Sequence, residues 1–180
     1  FNMTLNDLIS TKHFDEKEYN SLMNSSHQRK ENNTEIHDYN CGGYAFETYN
    51  WVELFDGADT VEDVAEAIGE DCRDCRICDE IADAMGECDY SNPYLIEYFV
   101  YQILNAFPDI RLVNNFNELE PDEYGIAFRT CEDDFHFCKY KDGVFSHKPG
   151  SWAVEEVEEE EDAWEDRYYS NIYRFARKES

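Results

Sequence analysis

The sequence predicts an α+β fold, with helices in the first part of the chain and an antiparallel sheet in the second. The clearest helix signal is NPYLIEYFVYQILNAF, where Asn92 can cap the helix and Pro93 takes its first position. After Pro108 the sequence changes to short alternating runs rich in aromatic and β-branched residues, which are typical of strands. Helices followed by a run of strands is the pattern of an α+β domain.

A chain of 180 residues is long enough to bury one sizeable core, so we expect a single domain over residues 1–180. Residues 1–36 are predicted to hold a short helix, over 1–12, and then a polar loop. Residues 37–108 form the predicted helical half, with one helix from Cys41 or Gly42 to about Phe55 and another over 60–69. Residues 109–180 form the predicted sheet half.

The sheet half is predicted to contain the strands IRLV, YGIAFRT, DFHFCKY, VFSHK and NIYRFAR. Asp142-Gly143 lies between two alternating runs and predicts a two-residue hairpin turn. This turn places Cys138 opposite His147 and puts His136 diagonal to His147 on the same sheet face. The acidic segment VEEVEEEEDAWEDRYY is expected to be a solvated helix or loop.

The formal net charge is −27, which excludes direct nucleic-acid binding through phosphates and disfavours anionic membrane surfaces. No apolar run approaches the roughly 20 residues of a membrane span, and no export signal is visible at Phe1. We therefore expect a cytoplasmic protein whose seven cysteines are reduced. The charge keeps such a chain in solution, and it also suits a basic protein partner.

The segment DYNCGGYAFETYNW places Cys41 where a helix is predicted to begin. Unpaired backbone N–H groups and the helix dipole at such a position stabilise a thiolate and a developing oxyanion. Gly42 and Gly43 allow a substrate carbonyl to approach the backbone. A strand histidine packed against this helix would be the base. The alternative is a small buried thiol with a purely structural role.

Together with DFHFCKYKDGVFSHKPG, this segment resembles a group of bacterial and phage proteins that carry N-C-x-G-Y-A, D-[FY]-H-[FW] and W-x-H-K-x-G motifs. The group is regarded as similar to papain-like cysteine peptidases and amidases. The resemblance covers about residues 38–55 and 110–178. It departs from the group at Gly42, where the group often has a small or aromatic residue, and at Phe145, where it often has tryptophan or another aromatic.

The resemblance implies a papain-like arrangement in which Cys41 is the nucleophile and His136 the general base. His147 would orient His136 or act as the base itself, and Asn40 or the Cys41 amide would stabilise the oxyanion. It implies a peptide or protein substrate, no cofactor, and a location in a bacterial cytoplasm or, for a phage protein, the virion. The alternative function is a non-catalytic acidic binding or inhibitor protein on the same fold, which would mimic nucleic acid.

Cys72, Cys75, Cys78 and Cys88 form the competing site. Four thiolates can bind zinc, but this spacing differs from that of paired C-x2-C knuckles, and the flanking acids add negative charge. We therefore expect no metal site in the chain and predict that these four thiols do not converge on one ion.

Overall fold

A computed structural model of the chain describes residues 2–4, 39–55, 64 and 76–179, with the backbone alone for 2–4. The polar loop expected within 13–36 and the helix expected over 60–69 lie outside these residues, apart from Val64, which is helical and buried. Cys72 and Cys75 also lie outside them. None of the described helices is long and apolar enough to cross a membrane.

The described part contains three helices, eight strands and two short 3₁₀ helices. In chain order these are β1 Asn2–Thr4, α1 Cys41–Ala45, β2 Trp51–Glu53, α2 Arg76–Glu87, α3 Pro93–Ala106, β3 Ile110–Val113, the 3₁₀ helix Phe116–Glu118, β4 Glu123–Thr130, β5 Phe135–Lys141, β6 Val144–His147, β7 Glu155–Val157, the 3₁₀ helix Glu160–Trp164 and β8 Tyr173–Lys178. The predicted α+β class is confirmed.

Six strands form one antiparallel sheet in the order β3-β8-β4-β5-β6-β7. The turn between β5 and β6 has positive φ at both Asp142 and Gly143, as a two-residue hairpin turn of type I′ requires. Cys138 pairs with His147, so the predicted register is confirmed. The C-terminal strand β8 inserts between β3 and β4, and the predicted strand in NIYRFAR is also confirmed.

Helix α1 is much shorter than predicted. It ends at Ala45 rather than near Phe55, because the backbone turns into the left-handed region at Glu47 and Tyr49. The chain then doubles back so closely that a β-carbon on Gly43 would lie 1.9 Å from the carbonyl oxygen of Asn50. Only glycine fits at this position of the helix.

The turn leads into β2, which pairs in parallel with β1. The helix predicted over 1–12 is therefore wrong for Asn2–Thr4, which form a strand. These residues form a strand because β2 supplies their backbone hydrogen-bond partners, and this pairing cannot be seen in the local sequence.

The sheet carries apolar side chains on both faces. One face holds Phe128, Phe137 and Phe175, which share a buried cluster with residues of α1, α2 and α3. The other face holds Ala127 and Cys138, which pack with Trp164 and Tyr168 from the acidic C-terminal segment.

The acidic segment is more ordered than the predicted helix or loop. Glu155–Val157 pairs with β6 as edge strand β7, and the 3₁₀ helix Glu160–Trp164 follows it. Trp164 is buried, while most of the acidic side chains around it are exposed. One buried aromatic residue thus anchors the segment to the sheet.

Candidate functional site

Two buried histidines form a direct contact on the face of the sheet that carries Trp164. His136 Nε2 lies 2.8 Å from His147 Nδ1, and one of these two nitrogens donates the shared proton. The His136 ring stacks on Tyr168, with ring centroids 5.2 Å apart. The structure therefore brings together the two histidines that the hairpin register predicts to be neighbours.

A carboxylate continues this pair toward solvent. His147 and Glu155 are cross-strand partners on β6 and β7, and His147 Nε2 lies 3.5 Å from Glu155 Oε2. The result is an imidazole–imidazole–carboxylate chain. Sequence analysis missed Glu155, because a glutamate within an acidic run carries no signal of its own until strand β7 is known.

Both imidazoles are held in the neutral form at neutral pH. Burial lowers the pKa of His136 to about 3, with further lowering by the charges of His147 and Arg167. Burial also lowers the pKa of His147, although Glu165 and Glu155 oppose this shift. When His136 Nε2 donates the shared proton to His147 Nδ1, the Nδ1 of His136 carries the lone pair that can accept another proton.

Cys41 is the first residue of α1, as predicted, but its thiol is not partly exposed. The residue is only 5% accessible. Burial raises the pKa of Cys41 to about 12, although the backbone amides of Phe137 and Gly42 favour the thiolate. At neutral pH the sulfur is therefore a thiol and not a preformed nucleophilic thiolate.

The structure does not join this thiol to an imidazole. Among the described residues, no hydrogen bond links Cys41 to His136 or His147. Cys41 belongs to the apolar cluster that contains Phe137, whereas His136 points to the other face, toward Tyr168. The sulfur does interact with the Phe137 amide, which is the backbone group next to His136. Thiol and imidazole thus adjoin the same stretch of β5 from different sides.

Asn40 has a different role from the predicted one in oxyanion binding. Its Oδ1 accepts hydrogen bonds from the Gly43 and Val52 amides, and its Nδ2 donates to the Val52 carbonyl at 2.7 Å. The carboxamide caps α1 and ties it to β2. The Cys41 amide has no intrahelical acceptor, because it belongs to the first residue of the helix.

Lys148 is the residue near Cys41 that sequence analysis missed. It is fully buried, its Nζ donates to the Gly150 carbonyl at 2.8 Å, and it lies 4.8 Å from the ring centroid of Tyr39. Its charge lowers the pKa of Cys41. Side chains alternate between the two faces of a strand, so the sequence could have placed Lys148 on the face opposite His147.

The cysteine-rich segment is only partly described. Cys78 lies on α2 and is disulfide-bonded, whereas Cys88 follows the helix as an exposed free thiol. The expectation that every cysteine is reduced is therefore wrong for Cys78. A four-thiolate zinc site would require this disulfide to be reduced.

Comparison of the chain with protein-family models, with curated proteins and with solved structures finds no match.

Proposed function

We propose that this protein is a papain-like cysteine hydrolase that cleaves a peptide or amide bond, with Cys41 as nucleophile and His136 as base. The observation that carries the proposal is the 2.8 Å contact between His136 Nε2 and His147 Nδ1. It fixes the His136 ring, and with the shared proton on Nε2 it leaves Nδ1 as the proton acceptor. The Phe137 amide, the backbone group next to His136, interacts with the Cys41 sulfur.

In the proposed reaction the Cys41 sulfur attacks the substrate carbonyl carbon while its proton passes to Nδ1 of His136. The carbonyl oxygen becomes an oxyanion that accepts a hydrogen bond from the Cys41 amide. Collapse of this intermediate breaks the C–N bond, and the leaving amine takes the proton from His136. Water then hydrolyses the thioester, with His136 again as the base, and restores the thiol.

His147 and Glu155, the other two groups of the imidazole–imidazole–carboxylate series, stabilise the positive charge that forms on the His136 ring. His147 orients the ring, and Glu155 lies beyond His147. The reaction requires the thiol to approach His136 Nδ1 more closely than in the structure described here. Because the two groups lie on different sides of β5, this approach requires a rearrangement near the end of β6, where pairing with β5 stops at His147.

Selective alkylation tests the proposal, and the chain contains a matched control. Cys138 is as buried as Cys41, its pKa is also raised by burial to about 12, and it lies two residues from His136. Iodoacetamide at pH 7, followed by mass spectrometry of peptides, gives the rate at each thiol. We expect Cys41 to react at least ten times faster than Cys138, and this difference to vanish in His136→Ala.

Equal, slow labelling of the two thiols would show that Cys41 is a structural thiol. Hydrolysis of a mixed peptide pool provides the second measurement. Cleavage should be present in the native protein and absent in Cys41→Ser, which keeps the shape of the side chain.

The exposed acidic segment favours a second candidate, a non-catalytic protein that binds a basic partner and mimics nucleic acid. Six acidic side chains are exposed in a stretch of eight residues: Glu155, Glu156, Glu158, Glu159, Glu161 and Asp162. Binding to a basic nucleic-acid-binding protein that survives Cys41→Ala and disappears at high salt would support this function. In either case we place the protein in a bacterial cytoplasm or, if a phage encodes it, in the virion.

A further inference from the structure

We propose that His147, Glu155 and Glu165 bind a divalent transition-metal ion such as Zn²⁺. The ligand atoms of these three residues all lie within 4.8 Å of one another. Imidazole and carboxylate are both common ligands of zinc. The site lies at the solvent end of the histidine pair and is distinct from the segment that carries Cys72, Cys75, Cys78 and Cys88.

Three elements hold the ligands in place. His147 and Glu155 are directly paired residues of β6 and β7. Glu165 follows the 3₁₀ helix Glu160–Trp164 in a left-handed conformation, immediately after the buried Trp164. The site is therefore assembled by the sheet and by an anchored turn, and it does not depend on a single loop.

The spacing fits a metal better than a simple ion pair. His147 Nε2 and Glu155 Oε2 are 3.5 Å apart. A charge-assisted hydrogen bond between such atoms is typically about 2.7–2.9 Å long. Two ligand atoms of a tetrahedral zinc ion, each about 2.0–2.2 Å from the metal, lie about 3.3–3.5 Å apart. The Glu165 carboxylate lies within 4.8 Å of both other ligand atoms, and it must move closer where its distance exceeds the tetrahedral spacing.

The charges also call for a cation. Two carboxylates converge on a histidine that is only 1% accessible. Within the described part of the chain, the nearby arginines pair elsewhere: Arg167 with Asp133 and Asp134, and Arg174 with Glu160. Among the described residues, no lysine or arginine forms an ion pair with Glu155 or Glu165.

His136 holds the ring of His147 by a hydrogen bond, as is usual for a histidine that binds a metal. A metal-binding histidine usually has its second ring nitrogen held by a hydrogen bond, which fixes the tautomer that leaves the other nitrogen as a lone pair. With the shared proton on His147 Nδ1 and donated to His136 Nε2, the Nε2 of His147 has a lone pair that faces the two carboxylates.

This inference has a consequence that rests on the proposed function. With a metal on His147 Nε2, the shared proton must stay on His147 Nδ1, and the neutral His136 then carries its own proton on Nδ1. The nitrogen that should accept the Cys41 proton becomes a donor, and no proton is gained or lost overall. Metal binding would therefore inhibit the hydrolase.

Calorimetric titration of ZnCl₂ into the full chain tests the site. The background variant is Cys88→Ser, which removes the exposed thiol as a competing ligand. We expect one ion per chain, with affinity reduced at least tenfold by Glu165→Gln and by Glu155→Gln. Glu156→Gln is the matched control, because Glu156 is an exposed neighbour on the same strand and points to the opposite face; its affinity should not change.

Co²⁺ in place of Zn²⁺ identifies the ligands by absorption. Nitrogen and oxygen ligands give no thiolate charge-transfer band, whereas binding at cysteines does. Undiminished affinity in Glu155→Gln and Glu165→Gln, or a thiolate band, would overturn the metal site. Zinc should inhibit hydrolysis by the native protein and should not inhibit hydrolysis by Glu165→Gln, which tests the link between the metal and the reaction. Absence of hydrolysis would refute the proposed function alone and leave the binding result standing.

Discussion

Glu47→Gln should destabilise the protein strongly, because Glu47 neutralises two lysines beneath α1. Glu47 Oε1 lies 2.8 Å from Lys139 Nζ and 2.9 Å from Lys141 Nζ, and the Glu47 and Lys139 side chains are only 10% and 6% accessible. Removing one partner of a buried ion pair leaves an uncompensated charge, which costs about 3–5 kcal/mol. We expect a loss of this size in the free energy of unfolding at pH 7, measured by urea denaturation.

The same contact gives a pH dependence. Burial alone would raise the pKa of Glu47, but Lys139 and then Lys141 lower it from 4.5 to about 2. Because the unfolded chain binds this proton more readily, the contribution is present above pH 4.5 and is lost as the pH falls toward 2. Lowering the pKa from 4.5 to about 2 corresponds to roughly 3 kcal/mol in the free energy of unfolding.

The difference in stability between the native protein and Glu47→Gln should therefore shrink by about 1.4 kcal/mol per pH unit below pH 4.5. Glu156→Gln is again the control, since this exposed glutamate should show no such pH-dependent difference. A difference between the native protein and Glu47→Gln that stays constant from pH 5 to pH 3 would refute the reasoning. A loss of less than about 1 kcal/mol in the free energy of unfolding of Glu47→Gln at pH 7 would refute it as well.

Three further variants test the start of α1 and its thiol, and Gly86→Ala in α2 serves as a control. Gly43→Ala should cost at least about 2 kcal/mol in the free energy of unfolding, because the new β-carbon would meet backbone. Gly86→Ala, at an open helix position, should instead stabilise by about 0.5–1 kcal/mol in the same urea assay. Asn40→Ala should cost about 2–4 kcal/mol, since it removes a cap and leaves buried backbone groups unpaired. Lys148→Met should slow alkylation of Cys41, because the lysine charge favours the thiolate; an unchanged rate would contradict this.

The histidine pair was predictable because a short local signal determines it. The turn at Asp142 and Gly143 sets the register of β5 against β6, and the register alone makes His136 and His147 neighbours. The resemblance to papain-like proteins named the same two residues. The start of α1 was predictable for a similar reason, since Asn40 is a strong capping residue directly before Cys41.

The end of α1 and the orientation of the site were not predictable from sequence. The helix stops where Glu47 and Tyr49 adopt positive φ, and neither residue is a glycine or an asparagine that would indicate it. Alternation shows that His136 and Lys139 lie on opposite faces, but it does not show which face meets α1. The structure places Lys139 on that side, where it pairs with Glu47, and His136 on the other.

The burial of the site also determines which kind of cysteine chemistry it can support. A resting thiolate–imidazolium pair would need a low thiol pKa and a raised imidazole pKa. Here burial raises the pKa of Cys41 to about 12 and lowers that of His136 to about 3, so both groups are neutral over the whole physiological range. In the proposed hydrolysis, proton transfer would therefore accompany attack of the sulfur on the substrate, and a hydrogen bond between the two groups would have to form first. The reactivity of Cys41 therefore depends on whether the thiol can approach His136 Nδ1. The alkylation rate of Cys41 relative to that of Cys138, a thiol of similar burial and similar pKa, measures whether it does.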